Sequence, residues 1–136
     1  MKDLITSPYE KYRQSSVQTS TPAQLLIMLF DGAIRFVNAG LEGINQKDIQ
    51  KSNLNLGKAQ TIISELMSTL DLSYEVSKGL FALYEYINHL LIEANVNKLT
   101  APAEEALGYI SELRETWAQA AKVVQSGASG QERSHG

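Results

Sequence analysis

Glu85, His89 and Glu93 recur every four residues, so they share one face of any helix that contains them. Carboxylates and imidazoles on helix faces build the di-metal centres of helical bundles. Those centres place a glutamate three residues from a histidine on each of two helices and add a glutamate from each of two more. Here the spacing is four, and the other histidine, His135, falls in a Gly/Ser-containing stretch far from this segment. The residues read instead as a solvated face with local ion pairing. Asp31 and Arg35 form an i,i+4 couple of the kind found on helix surfaces. No glycine-rich phosphate loop and no nucleophile–base arrangement is found, and the lack of cysteine excludes disulfides and thiolate metal sites. The expectation is a protein without enzymatic activity, cofactor or metal.

The elements carrying these residues read as helices. Four segments show apolar residues in steps of three and four: about 22–45, with Leu25, Met28, Leu29, Gly32, Phe36, Val37, Leu41 and Ile44; about 47–70, with Leu56, Ala59, Ile63, Leu66 and Leu70; about 74–97, with Val76, Leu80, Leu83, Ile87, Leu90 and Ala94; and about 101–124, with Ala106, Ile110, Leu113, Trp117, Ala120 and Val124. Thr21 and Gln24 form a capping-box pattern around Pro22, a residue suited to the first helical position. Asn45, Ser73 and Thr100 are the expected N-caps of the other three helices. Short connections between long amphipathic helices make neighbours antiparallel, so the fold expected is an all-α, up-down four-helix bundle over 19–125. Residues 1–18 form a separate segment with room for a turn or two of helix, and 126–136 read as a flexible tail.

With 136 residues, 43% of them apolar and 20% charged, the chain is long enough for one globular domain. Its longest apolar run, Leu25–Phe30, is far below the roughly 20 residues of a membrane span. The N-terminal residues lack the apolar centre of a secretory signal, which favours the cytoplasm and no stable membrane insertion. A net charge of −3 argues against nucleic acid as a partner and toward another protein.

Several large side chains fall off the core stripes: Leu26, Ile27 and Phe30 on the first helix, Ile62 and Met67 on the second, Phe81 and Tyr84 on the third. Burying one such side chain contributes roughly 1.5–3 kcal/mol, so a groove shared among them would attract an apolar partner. The competing reading is that a wide bundle core absorbs some of them. Gly32, Gly40, Gly57, Gly79 and Gly108 each cost a helix interior about 1 kcal/mol relative to alanine. Close approach of a neighbouring backbone would compensate; tolerated drift is the alternative. Tyr9 and Tyr12 are amphipathic anchors in an otherwise polar N-terminal segment. They dock it on the bundle permanently or let it cover the groove until a partner displaces it.

In chain order, the tyrosine-bearing N-terminus is followed by Val17–Leu25 and Met28–Ile34. Leu56–Leu66, Leu70-Asp71, Leu83–Ile87 and a closing Leu113-Arg114-Glu115-Thr116-Trp117 complete the pattern. Over about residues 9–124 this order and spacing resemble the flagellin-specific flagellar export chaperones, the FliS family. The resemblance implies a small antiparallel helical bundle in the cytoplasm that binds the disordered C-terminal segment of flagellin. Holding that segment prevents premature polymerisation and keeps flagellin fit for type III export. The resemblance further implies delivery to the cytoplasmic domain of the export gate. On this reading Leu26, Phe30, Ile62, Met67, Phe81 and Tyr84 are the expected flagellin-binding residues, and Tyr9 and Tyr12 belong to a displaceable cover. The alternative is a self-associating helical-bundle adaptor or regulator that binds another protein's amphipathic helix, and the sequence leaves homodimers open.

Overall fold

The computed structural model describes the backbone of residues 21–135 and the side chains of 21–123. It contains α1 (Pro22–Asn45), α2 (Ile49–Ser68), α3 (Glu75–Asn97) and α4 (Thr100–His135), and no strand among the described residues. Each helix packs on its neighbours in chain order, and α4 closes back on α1. Bonds from Asn88 to Ser64 and from Lys98 to Asn53 pair rising positions on α3 with falling ones on α2, as antiparallel packing requires. The core is aliphatic, with Leu29, Leu56, Ile63, Ile87, Leu91 and Ile110 fully enclosed. Phe36, Leu83 and Trp117 lie half-buried against it. Of the described helices, α1 has the length and apolar content of a membrane span, but Leu29, Phe30 and Val37 on it are completely enclosed in the bundle core.

The helix starts follow local chemistry. At α1 the capping box forms in full: Gln24 N–H donates to Thr21 Oγ1 at 3.1 Å and Thr21 N–H to Gln24 Oε1 at 3.0 Å. The other caps shift from the expected positions. Asp48, not Asn45, caps α2 by accepting from Lys51 N–H at 3.0 Å, because α1 itself runs on through Asn45. Ser73 is held in the preceding turn, its N–H and hydroxyl both donating to Asp71 Oδ1, so Tyr74 takes the N-cap position of α3 without a side-chain bond. Thr100 is already the first residue of α4. Val76, expected in the core, is 71% exposed. It lies in the first turn of α3, and Ser77 takes the buried position beside it. Ala120 is exposed as well, and the backbone of α4 continues as helix to His135 where the sequence suggested a tail.

The α1–α2 contact is the tightest point of the bundle. A Cβ on Gly43 would lie 2.6 Å from the backbone nitrogen of Ser52, and one on Gly40 would lie 2.6 Å from the side chain of Leu56. These glycines let the two helices approach; Gly57, Gly79 and Gly108 have open space where a Cβ would go.

Both turns at one end of the bundle use the same device. Asp48 N–H bonds back to Gly43 O and Leu99 N–H to Ala94 O, closing α1 and α3 with Lys47 and Lys98 in the left-handed region, φ 58° and 54°. Glycine is the usual occupant there; a side chain costs about 1–2 kcal/mol. A cation at a helix C-terminus recovers only about 0.3–1 kcal/mol.

Candidate protein-binding surface

The four seams of the bundle differ in what closes them. Across α1–α4, Arg114 Nε donates to Asp31 Oδ1 at 2.9 Å, which raises the arginine's pKa. Asp31 therefore makes a tertiary bridge to α4, a role beyond the helix-surface pairing that the sequence suggested for it. Across α1–α2, Lys51 pairs with Glu42 at 3.0 Å, and Lys58 sits 5.3 Å over the Phe36 ring. Across α3–α4, Tyr86 packs edge-on to Tyr109 and donates to Glu105 at 2.8 Å, and that bond raises the pKa of Tyr86.

The α2–α3 seam is different. Its middle is bridged by neutral groups, Asn88 Nδ2 to Ser64 Oγ at 3.0 Å, and Asn88 Oδ1 is shielded from solvent with no partner. Lys98 reaches Asn53 only at the end of the seam. Beside it α2 presents small groups, Gly57, Thr61 and Ser64, with Leu54 57% exposed. On the α2-facing flank of α3, Phe81 is half-buried and, beyond Glu85 and Asn88, Ile92 and Val96 are exposed, Val96 by 72%; exposed Leu99 follows the helix end. An aliphatic border along a seam that no ion pair crosses among the described residues is suited to hold an apolar segment.

The expected site residues divide. Phe30 and Ile62 are fully enclosed and Tyr84 is 2% exposed. The wide core has absorbed them, so the outward placement read from the sequence is corrected for these three. Burial pushes the Tyr84 hydroxyl up to about 12 against a hydrogen bond from Trp117 that pulls it down. Glutamate at Ile62 or Tyr84 would therefore unfold the bundle and not report on binding. Leu26 and Met67 are half-buried against the core, and Phe81 is half-buried. Of these, Met67 and Phe81 lie on the two helices of the α2–α3 seam, whereas Leu26 lies on α1. Leu54, Ile92, Val96 and Leu99 were missed. The available signal for Ile92 and Val96 was their four-residue spacing beside the core stripe of α3, which the stronger core stripe masks; Leu54 on α2 and Leu99 past the end of α3 carried no such signal.

A recess of about 330 Å³ is lined by Pro22, Gln24, Trp117 and Ala121, where the chain enters α1. Tyr9 and Tyr12 lie outside the described residues. Glu85 and His89 are exposed and Glu93 is half-buried, and no cluster of metal-ligating side chains occurs among the described residues.

Comparison with known proteins places these features in context. The sequence model of the family described as flagellar protein FliS matches residues 5–124. The chain is 39% identical over 116 residues to the flagellar secretion chaperone FliS of Bacillus subtilis, covering 85% of this chain and 87% of that protein. It is 33% identical over 109 residues to the protein of the same name from Salmonella typhimurium, covering 78% and 81%. The Campylobacter jejuni protein of that name is 29% identical over 111 residues, covering 80% and 87%.

Proposed function

Because the chain belongs to the FliS family of flagellar secretion chaperones, we propose that it holds the disordered C-terminal segment of flagellin one-to-one, in the cytoplasm, along the α2–α3 seam. Held there, the segment is kept from premature polymerisation and remains fit for type III export through the cytoplasmic domain of the export gate. The observation that carries this reading is the exposed aliphatic border of Leu54, Ile92 and Val96. A disordered segment must offset its ordering cost with long apolar contact, and amphipathic segments obtain it along helical grooves. Phe81 and Met67 extend the surface at the other end of the seam, while Phe30, Ile62 and Tyr84 support it from the core. A holding role of this kind needs no cofactor.

The N-terminal segment is read as a displaceable cover; the recess nearest to it lies between α1 and α4, so its displacement requires the flagellin segment to extend from the α2–α3 seam around to that side of the bundle. Residues 1–20 lead directly into Thr21, which lines the recess beside Trp117. That recess is suited to receive Tyr9 or Tyr12 before flagellin arrives. Trp117 is the one tryptophan of the chain, so its fluorescence reports on that site. Deleting residues 1–16 should shift its emission to the red, and adding the flagellin segment to the full chain should do the same. Emission unchanged in both cases would remove the cover from the scheme.

Size-exclusion chromatography with light scattering tests the main reading. A one-to-one complex with a flagellin C-terminal segment is expected, and Leu54→Glu with Ile92→Glu should abolish it while leaving the helical circular dichroism intact. A chain that stays folded and binds as well with both changes would place the surface elsewhere. A dimer without ligand that these changes dissociate would favour the self-associating reading.

A further inference from the structure

The end of the bundle where α1 turns into α2 and α3 into α4 holds a second recess, of about 360 Å³. Ile44 and Ile49 form its apolar wall, and Lys47 and Lys98 line it from the two turns. Ile49 is 62% exposed, and exposed Leu99 follows Lys98 directly. Both lysines hold left-handed positions that glycine would occupy without strain, and the helix ends they face do not return the full cost. Neither has a carboxylate partner among the described residues. Lys98 is bound by the amide oxygens of Asn53 and Asn95, and neighbouring Lys51 is taken by Glu42. Asp48, the carboxylate that lines the recess, is engaged as the cap of α2.

A chain of net charge −3 thus presents two lysines with no direct carboxylate partner around an apolar hollow, against the single carboxylate of Asp48, so the lining keeps a net positive charge. A purely apolar partner would desolvate them without compensation, and a basic one would be repelled. We infer that this end docks an acidic, aliphatic helical segment of another protein. Its aliphatic side chains fill the recess against Ile44 and Ile49, and its carboxylates pair with Lys47 and Lys98. The inference goes beyond the flagellin reading and does not depend on it: the recess lies at the same end of the bundle as Leu54 and Val96, but it opens between the two turns and uses Ile44, Lys47 and Ile49, which are not part of the α2–α3 border.

The test is a nuclear magnetic resonance titration of the full-length ¹⁵N-labelled chain with a capped helical peptide bearing a leucine face and three glutamates. Amide shifts should concentrate in residues 43–49, the end of α1 and its turn into α2, which lie off the α2–α3 seam. The same peptide with glutamine in place of glutamate should bind roughly tenfold more weakly, the loss of about one charged contact. The double variant Lys47→Gly, Lys98→Gly should melt at a higher temperature, relieved of left-handed strain, yet lose binding by roughly tenfold or more. Lysines with a purely structural role would move the melting temperature and leave peptide affinity unchanged. No binding, shifts concentrated on the α2–α3 seam, or equal affinity for the glutamine peptide would each overturn the inference.

Discussion

Replacing Gly43 with alanine gives a direct reading of how the bundle is held together. The new Cβ would lie 2.6 Å from Ser52 N, 3.0 Å from Ser52 Cα and 3.1 Å from Lys51 C. All three are backbone atoms, so no side chain can swing aside. Ordinary contact begins at 3.4 Å, so α1 and α2 must part by about 0.8 Å at this point. Overpacking of this kind costs about 1–3 kcal/mol. The gain in helix propensity, at most about 1 kcal/mol, is smaller here because Gly43 is two residues from the end of α1. The net expectation is a loss of about 1–2 kcal/mol. Gly108→Ala is the matched control. It lies within α4, has a negative φ and meets nothing within 4 Å, so it should gain about 0.5–1 kcal/mol. Thermal unfolding followed by circular dichroism should separate the two variants by roughly 6–12 °C, at about 4 °C per kcal/mol for a domain of this size. Gly43→Ala melting at or above Gly108→Ala would refute the close-packed α1–α2 contact.

Three further changes follow from the same structure. Tyr84, with its hydroxyl pushed up to about 12, is protonated in the fold at pH values where the unfolded tyrosine ionises. Stability should therefore be full below pH 10 and fall as pH rises toward 12, and Tyr84→Phe should flatten that fall in alkaline melts. A double-mutant cycle on Asp31→Asn and Arg114→Gln, read by urea unfolding, should give a small favourable coupling that shrinks as salt is added, because both side chains are partly exposed. A coupling near zero would make this bridge incidental. Thr21→Ala should cost about 1 kcal/mol through loss of the capping bond to Gln24 N–H, and Thr21→Ser should restore most of it.

The helices and their antiparallel order were legible because each carries a sustained 3.6-residue pattern and few breakers. The start of α1 was legible in detail, since Thr21, Pro22 and Gln24 act on each other within one turn. The cap of α2 was not, because Asn45 and Asp48 are both competent and the choice depends on where α1 stops. The glycines show the same limit: Gly40 and Gly108 look alike in sequence, and only packing tells which one faces a neighbour. The candidate binding surface was the least legible part. Phe30, Ile62 and Tyr84 looked surplus against a narrow stripe, but four wide helices enclose more than one stripe each. Leu54 and Val96, each two residues from a core position, turn outward instead.

Isothermal titration calorimetry of the full chain with a flagellin C-terminal segment, run at several temperatures, tests the central claim most directly. Binding along the α2–α3 seam predicts one site per chain and a negative heat-capacity change, from burial of Leu54, Ile92 and Val96 with the segment's own apolar side chains. It also predicts that Leu54→Glu with Ile92→Glu removes most of the heat while the folded baseline is kept. Absence of binding, or binding whose heat-capacity change is untouched by those two substitutions, would contradict it.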